Sequence, residues 1–146
     1  MRRLAIALIL LLVTDCSPPK RLHIDDNISI IYRRVNQLRI AHGLPPLQYL
    51  TETQQSADLW AKRLESRFRH APPVYSCENI AYNFTGAEEL FSQWLHSPGH
   101  KRNMLMWRIR YCTISVHIGT RDGIYPTYFG VFRGYDAELA KRKKRK

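Results

Sequence analysis

The chain has 146 residues and a hydrophobic fraction of 45%, which leaves no room for two full-sized domains and argues against global disorder. Its formal net charge is +11, but residues 141–146 are all Lys or Arg and contribute six of these charges. Because no aromatic residue is interspersed in this run, it predicts a solvated tail rather than a nucleic-acid-binding face.

Residues 1–16 predict export through a signal peptide. Two arginines precede residues 4–13, an uncharged run of ten that is too short to span a bilayer and suits a signal-peptide core. Residues 12–16 are similar to a bacterial lipoprotein cleavage box, although Asp15 stands where that box has a small residue. We expect a secreted or envelope-anchored extracellular protein, and we favour lipidation of Cys16 over a free or discarded cysteine.

The remainder divides into three parts. A polar tether occupies residues 17–25, the folded domain residues 26–136, and the basic tail residues 137–146. Within the domain, Asp25 or Asp26 at its start can cap a first helix, whose apolar residues recur at helical spacing until Gly43.

The second and third helices each begin with a capping-box pattern. Thr51 opens the second helix with Gln54 as its partner, and Thr85 opens the third with Glu88 as its partner. Between these helices, residues 70–83 follow no regular pattern and contain a Pro-Pro loop. A shorter helix is expected after Ser97-Pro98.

The last third of the domain predicts a hairpin. Alternation over residues 110–118 and the apolar run at residues 128–132 are typical of strands, and residues 120–123 predict the turn between them. Helices followed by an antiparallel hairpin predict an α+β layered domain.

Two further cysteines, Cys77 and Cys112, lie inside the domain. In an exported protein they can form one disulfide, which would stabilise the fold by roughly 3–4 kcal/mol through loop-closure entropy. The alternative is two buried free thiols. The spacing does not show whether their Cα atoms come close enough to be bridged.

Several motifs occur in a fixed order between residues 28 and 134. They are NQLR at 36–39, HGLPPL at 42–47, ADLWA at 57–61, ENIA at 78–81 and WLHSPGHKRNML at 94–105. With a Tyr-rich final strand, this set resembles the CAP superfamily (SCP-like domain) of cysteine-rich secretory proteins, antigen 5 and plant pathogenesis-related proteins, in its compact bacterial form. The resemblance implies a three-layer α-β-α sandwich with a small antiparallel sheet.

The resemblance also implies a cleft lined by two His and two Glu. Three of the four map to His70, Glu78 and His100, whereas Ser97 stands where animal and plant members have the other Glu. With Asn79 and Trp94, these residues are the candidate ligand cleft.

Both Cys77 and Cys112 stand where the family usually or often has Gly. This shared replacement favours a disulfide between the two cysteines.

Two imidazoles and a carboxylate can coordinate Zn²⁺ with water completing the shell, or serve as base and orienting acid in hydrolysis. His70 and His100 are therefore possible zinc ligands. The alternative roles are structural: loop hydrogen bonds for Glu78 and Asn79, a helix cap for His100 and a cleft-edge position for His70.

The family that the sequence resembles consists mainly of secreted binding modules. We expect a monomeric, non-enzymatic exported domain that binds a small apolar or lipid-like ligand, a metal ion or an envelope component in this cleft. The alternative is a zinc-dependent, peptidase-like hydrolase that uses His70, Glu78 and His100 as catalytic residues. A third hypothesis is docking of residues 141–146 on an anionic surface, and no specific nucleic-acid partner is expected.

Overall fold

The computed structural model describes residues 24–145. The signal peptide predicted at residues 1–16, the lipidation of Cys16 and nearly all of the tether lie outside the described residues and stay predictions. Within residues 24–145, no helix is long and apolar enough to cross a membrane.

Helices and strands are interspersed along the described chain. In order, they are α1 (Ile24–Ala41), β1 (Gln48–Tyr49), a 3-10 turn (Thr51–Thr53), α2 (Gln54–Ser66), β2 (Cys77–Asn83), α3 (Ala87–His96), α4 (Pro98–Met104), β3 (Ile109–Arg121), β4 (Ile124–Asp136) and α5 (Ala137–Lys144). The helix predicted after Ser97-Pro98 and the predicted hairpin are both confirmed.

The strands form one sheet in the order β1-β3-β4-β2. β3 pairs antiparallel with β4 on one side and parallel with β1 on the other, and β2 pairs antiparallel with β4. The β3–β4 turn places Asp122 and Gly123 at positive φ (52° and 79°), the pairing that matches the twist of a tight hairpin.

Helices cover both faces of the sheet. Alternate residues of β3, such as Ile114 and Val116, join the core beneath α1, α3 and α4, while Phe129 and Val131 of β4 pack against α2 on the other face. Each large apolar side chain buried in this way stabilises the fold by about 1.5–3 kcal/mol. The α+β sandwich expected from the sequence is therefore confirmed.

β2 was missed by the sequence analysis, which found no regular pattern over residues 70–83. Six of its seven residues are buried, because α3 and α4 lie against the strand and Ile80 packs in a cluster with Trp60 and Leu64 of α2. A strand buried on both faces lacks the alternation that marks a half-exposed strand.

Neither predicted capping box forms. α2 begins at Gln54, after Thr53, and α3 begins after Gly86; no side chain caps either helix. The predicted capping-box partners make tertiary contacts instead. Gln54 Nε2 donates to the Ile114 carbonyl, and Glu88 forms an ion pair with Arg34 of α1.

The predicted basic tail is partly a helix. The Asp136 carboxylate accepts a hydrogen bond from the Leu139 N–H at 2.8 Å, capping α5, and Ala140 is buried against Leu50 and Tyr135. A cap and a short apolar face thus dock residues 137–140 on the sheet. Residues 141–145, which fall in the run predicted to be solvated, are exposed apart from the half-buried Lys143.

The predicted Cys77–Cys112 disulfide does not form, and both cysteines are buried free thiols. Cys77 on β2 and Cys112 on β3 are both register partners of Gly134 on β4. Because a whole strand lies between them, their Cα atoms are about 9–10 Å apart, beyond the roughly 7 Å that a disulfide can span. Burial raises the pKa of the Cys77 thiol to about 11 and also raises that of Cys112.

Candidate functional site

The predicted site lies at the β2 edge of the sheet and centres on Glu78. His70 belongs to the loop that enters β2, and its Nδ1 lies 2.9 Å from Glu78 Oε1. The same oxygen accepts hydrogen bonds from the Ala71 N–H (3.0 Å) and the Tyr75 hydroxyl (3.3 Å). Burial, followed by the nearby Glu78 charge, raises the pKa of Tyr75 to about 12, so its hydroxyl stays a donor.

The second carboxylate oxygen of Glu78 forms a buried ion pair. Arg133 Nε of β4 donates to Glu78 Oε2 at 2.8 Å, and the two side chains are 2% and 1% exposed. Arg133 also donates to the Ser56 hydroxyl at 3.2 Å, which ties α2 to the site. Four donors therefore contact the Glu78 carboxylate, three at Oε1 and one at Oε2, and the Tyr75 hydroxyl also donates to the Ala71 carbonyl at 2.6 Å.

Arg133 was missed by the sequence analysis, although a signal for it exists. It is the one charged residue in the apolar run of residues 128–135. A charged side chain at a strand position with buried neighbours requires a charged or strongly hydrogen-bonding partner.

The Glu78 carboxylate determines the tautomer of His70. Because this carboxylate is an acceptor, Nδ1 of His70 carries the proton and Nε2 of the neutral ring keeps its lone pair. The His70 side chain is 57% exposed, so Nε2 is accessible from solvent.

His100 lies on α4 close enough to His70 for the two rings to interact electrostatically. Its partial burial, with a smaller contribution from His70, lowers the pKa of His100 and favours the neutral imidazole. Neither of its ring nitrogens has a hydrogen-bond partner among residues 24–145. The structure thus places His70 against Glu78 and within electrostatic range of His100.

Asn79 positions α4 rather than lining the cleft. It is fully buried, and its Nδ2 donates to the His100 carbonyl at 3.0 Å. Asn103 donates to the Asn79 side-chain oxygen at 2.9 Å and to the Glu78 carbonyl at 3.2 Å. These bonds fix α4, and with it His100, against β2.

The other two predicted cleft residues contribute less. Trp94 is fully buried in the core against Phe132, so it does not line an accessible cleft. Ser97 precedes α4, and its carbonyl accepts the Lys101 N–H at 2.8 Å. The Ser97 hydroxyl makes no hydrogen bond with another residue of the described range.

Comparison with known proteins identifies the family. The CAP family, described as the cysteine-rich secretory protein family, matches residues 32–123. The chain belongs to the CAP family. A search of curated proteins finds no match.

Solved structures share the fold of this CAP domain. An outer surface protein of Borrelia burgdorferi has a TM-score of 0.58 at 16% identity, over 78% of this chain and 96% of that one. An extracellular SCP-domain protein from Bacillus anthracis gives 0.55 at 21%, over 75% and 40% of the two chains. A cysteine-rich secretory protein from Staphylococcus aureus gives 0.53 at 17%, over 79% and 40%. At these identities the likeness establishes the fold alone.

The metal-binding capacity of this CAP domain is limited by how Glu78 is used. Within residues 24–145, no three His, Cys, Asp or Glu side chains are arranged to hold a metal ion. Glu78 is buried and its carboxylate is engaged by His70, the Ala71 N–H and Arg133, which leaves the His70 and His100 imidazoles as the available metal ligands. Two imidazoles fit an open site completed by water or by a partner's ligand better than a closed structural zinc site.

A second concave feature of the CAP domain lies at the opposite edge of the sheet. A groove of about 740 Å³ runs between α1 and α2 along β3. It is lined by residues of three separate segments, among them Ile28, Tyr32, Gln54, Asp58, Leu59 and Val116. No local motif links these segments, so the sequence analysis had no signal for the groove.

Proposed function

We propose that this protein is an exported binding module that captures a divalent transition-metal ion through His70 and His100 and catalyses no reaction. His70 would bind through Nε2, which the Glu78 hydrogen bond on Nδ1 orients. His100 would contribute its neutral ring. Export is supported by the signal-like N-terminus and by relatives described as outer-surface or extracellular proteins.

The observation that carries the proposal is the contact between Glu78 Oε1 and His70 Nδ1. A carboxylate that supports a metal-ligating histidine from its far nitrogen fixes the tautomer and raises the basicity of the ring. Glu78 holds such a position toward His70 at 2.9 Å, while Arg133 and the Ala71 N–H hold the carboxylate in place.

The burial of Glu78 argues against a hydrolase that uses this carboxylate as its base. A general base must reach the proton that it abstracts, directly or through one water. Glu78 is buried and directed toward Arg133 and His70. When bound between the histidines, a metal ion would supply Lewis-acid attraction for an anionic or carbonyl group of a partner molecule.

The test is a calorimetric titration of the purified protein with Zn²⁺. We expect saturable one-to-one binding that is lost in His70→Ala/His100→Ala and retained in His96→Ala, a control in which an exposed helical histidine is removed. Thermal unfolding of each variant verifies folding.

Two results would contradict the proposal. One is zinc binding that is absent from the wild type or unchanged in the double variant. The other is peptide hydrolysis by the zinc-loaded protein that His100→Ala abolishes, because it would establish the hydrolase instead.

A further inference from the structure

We propose that the groove between α1 and α2 is a strand-addition site, which binds an extended peptide segment of a partner protein along the outer edge of β3. The site is at the opposite edge of the sheet from His70 and His100, and the proposal does not depend on metal binding.

The outer edge of β3 is only partly covered within the fold. β1 pairs with Tyr111 and Cys112 alone, and the Leu50 N–H donates to the Cys112 carbonyl at 2.8 Å. At the next outward position, the Tyr49 hydroxyl and Gln54 Nε2 donate to the Ile114 carbonyl at 2.8 and 3.1 Å. Side chains thus replace the missing strand at that point.

Beyond Ile114, no side chain bonds to the next two outward-facing positions of β3 among the described residues. Backbone groups of an edge strand face outward at every second residue, so those of Val116 and Ile118 lie on the same edge as those of Cys112 and Ile114. Neither residue has a hydrogen-bond partner on this edge among residues 24–145. The next outward donor, the Thr120 N–H, is bound by Glu65 Oε1 at 2.8 Å.

The unpaired groups are not simply hydrated surface. Val116 is only 2% exposed, and it lines the 740 Å³ groove. Buried backbone donors and acceptors are paired in nearly all native structures, so an unpaired position in a groove indicates a place for a ligand or ordered water. The groove volume lies within the roughly 300–1,000 Å³ of typical ligand sites.

The chemistry of the edge selects the occupant. A hydrocarbon chain in the groove would cover the N–H and C=O groups of Val116 without bonding to them. A second copy of this chain could not bring its own β3 edge in, since that edge is equally recessed between α1 and α2. An extended peptide supplies donors and acceptors at strand spacing and continues the line that β1 begins.

The walls of the groove would provide side-chain specificity. Ile28 of α1 and Leu59 of α2 offer apolar contacts on opposite sides, and the exposed Lys62 lies on the α2 side. Alternate side chains of an added strand point to opposite faces of the sheet. One set would therefore meet α1 and the other α2.

The test uses a phage-displayed random heptapeptide library selected on the purified full chain. The peptide that binds most tightly is then synthesised in three forms. One is unmodified, one carries N-methyl groups on its odd-numbered residues, and one carries them on its even-numbered residues. We expect the unmodified peptide to slow amide hydrogen exchange at Val116 and Ile118. One of the two methylated phases should lose at least tenfold in affinity, because methylation removes the ladder donors.

Matched variants locate the site. Ser29→Trp fills the groove from an exposed position of α1, and Gln37→Trp places the same side chain elsewhere on that helix. We expect at least a tenfold loss of peptide affinity in Ser29→Trp and no change in Gln37→Trp, with both variants folded by thermal unfolding.

Three results would overturn the proposal. The first is a library that yields no binder, and the second is a peptide whose affinity does not change with either methylation pattern or with Ser29→Trp. The third is displacement of the peptide by dodecanoate at the same site when the peptide does not protect the amides of Val116 and Ile118. The last result would assign the groove to an apolar ligand.

Discussion

Arg133 Nε donates to Glu78 Oε2 at 2.8 Å between register partners on adjacent strands, with both side chains buried. The pair joins the two strands nearest the histidine site. Through Glu78 it also holds His70, so the orientation of an exposed imidazole depends on a buried guanidinium.

Arg133→Met is expected to lower the free energy of unfolding by roughly 3–5 kcal/mol, because it leaves the Glu78 carboxylate buried without its partner. Urea denaturation measures the loss. The double variant Glu78→Gln/Arg133→Met should recover part of it, since neither buried charge remains. Arg34→Met, which breaks the exposed pair with Glu88, should cost less than about 1 kcal/mol. Equal losses in the two single variants would contradict this account.

Gly134→Ala should destabilise the domain by about 1–3 kcal/mol, because the added methyl overpacks a filled core. A Cβ at this position would lie 2.8 Å from both Cys77 Sγ and Ile109 Cδ1. Gly99→Ala on α4 is the control, since a Cβ there meets nothing within 4 Å. Chemical denaturation measures the free energy of unfolding of Gly134→Ala and Gly99→Ala. Equal values for the two variants would show that the Cys77 sulfur does not occupy the space that Gly134 leaves. Cys77→Ala in the Gly134→Ala background should restore part of the loss.

Cys77 and Cys112 are expected to be thiols that do not react in the folded protein. Burial raises the pKa of both, so the nucleophilic thiolate is scarce near pH 8 and is shielded from reagent. In a Cys16→Ser background, a thiol-specific chromogenic reagent should label neither cysteine in the native state and both in guanidinium chloride without reductant. Failure to label the unfolded, unreduced chain would mean that a disulfide exists.

Glu65 should make the domain less stable in acid. The Thr120 N–H, followed by His117, holds the pKa of Glu65 below its ordinary value. A depressed carboxyl pKa means that the unfolded chain binds the proton more tightly, so this stabilisation is present above about pH 5 and is lost as the pH falls through the folded-state pKa.

Urea midpoints measured between pH 7 and pH 3 check this expectation. The difference between the wild type and Glu65→Gln should be largest near pH 7 and should close toward pH 3. Glu89→Gln, at an exposed position of α3, should follow the wild type throughout. A wild-type advantage over Glu65→Gln that grows in acid would contradict the sign.

Local patterns were sufficient for several elements and failed where tertiary contacts compete with them. The Ser97-Pro98 signal for α4 was confirmed because proline at a helix start needs no partner beyond its own backbone. The capping box at Thr51 failed because Gln54 bonds to Ile114, a residue 60 positions away. The disulfide prediction was wrong because the spacing of the two cysteines in the sequence does not indicate that β4 lies between their strands.

The sequence by itself determined the family and the order of the main helices and the hairpin. These follow from motifs and periodicities that persist along the chain. Only the tertiary structure decided that Glu78 is bound by Arg133, that Trp94 is core, that Cys77 and Cys112 are a strand apart, and that a groove opens beside β3. Each of these depends on strand register and on which helix covers which face, and packing between distant segments sets both.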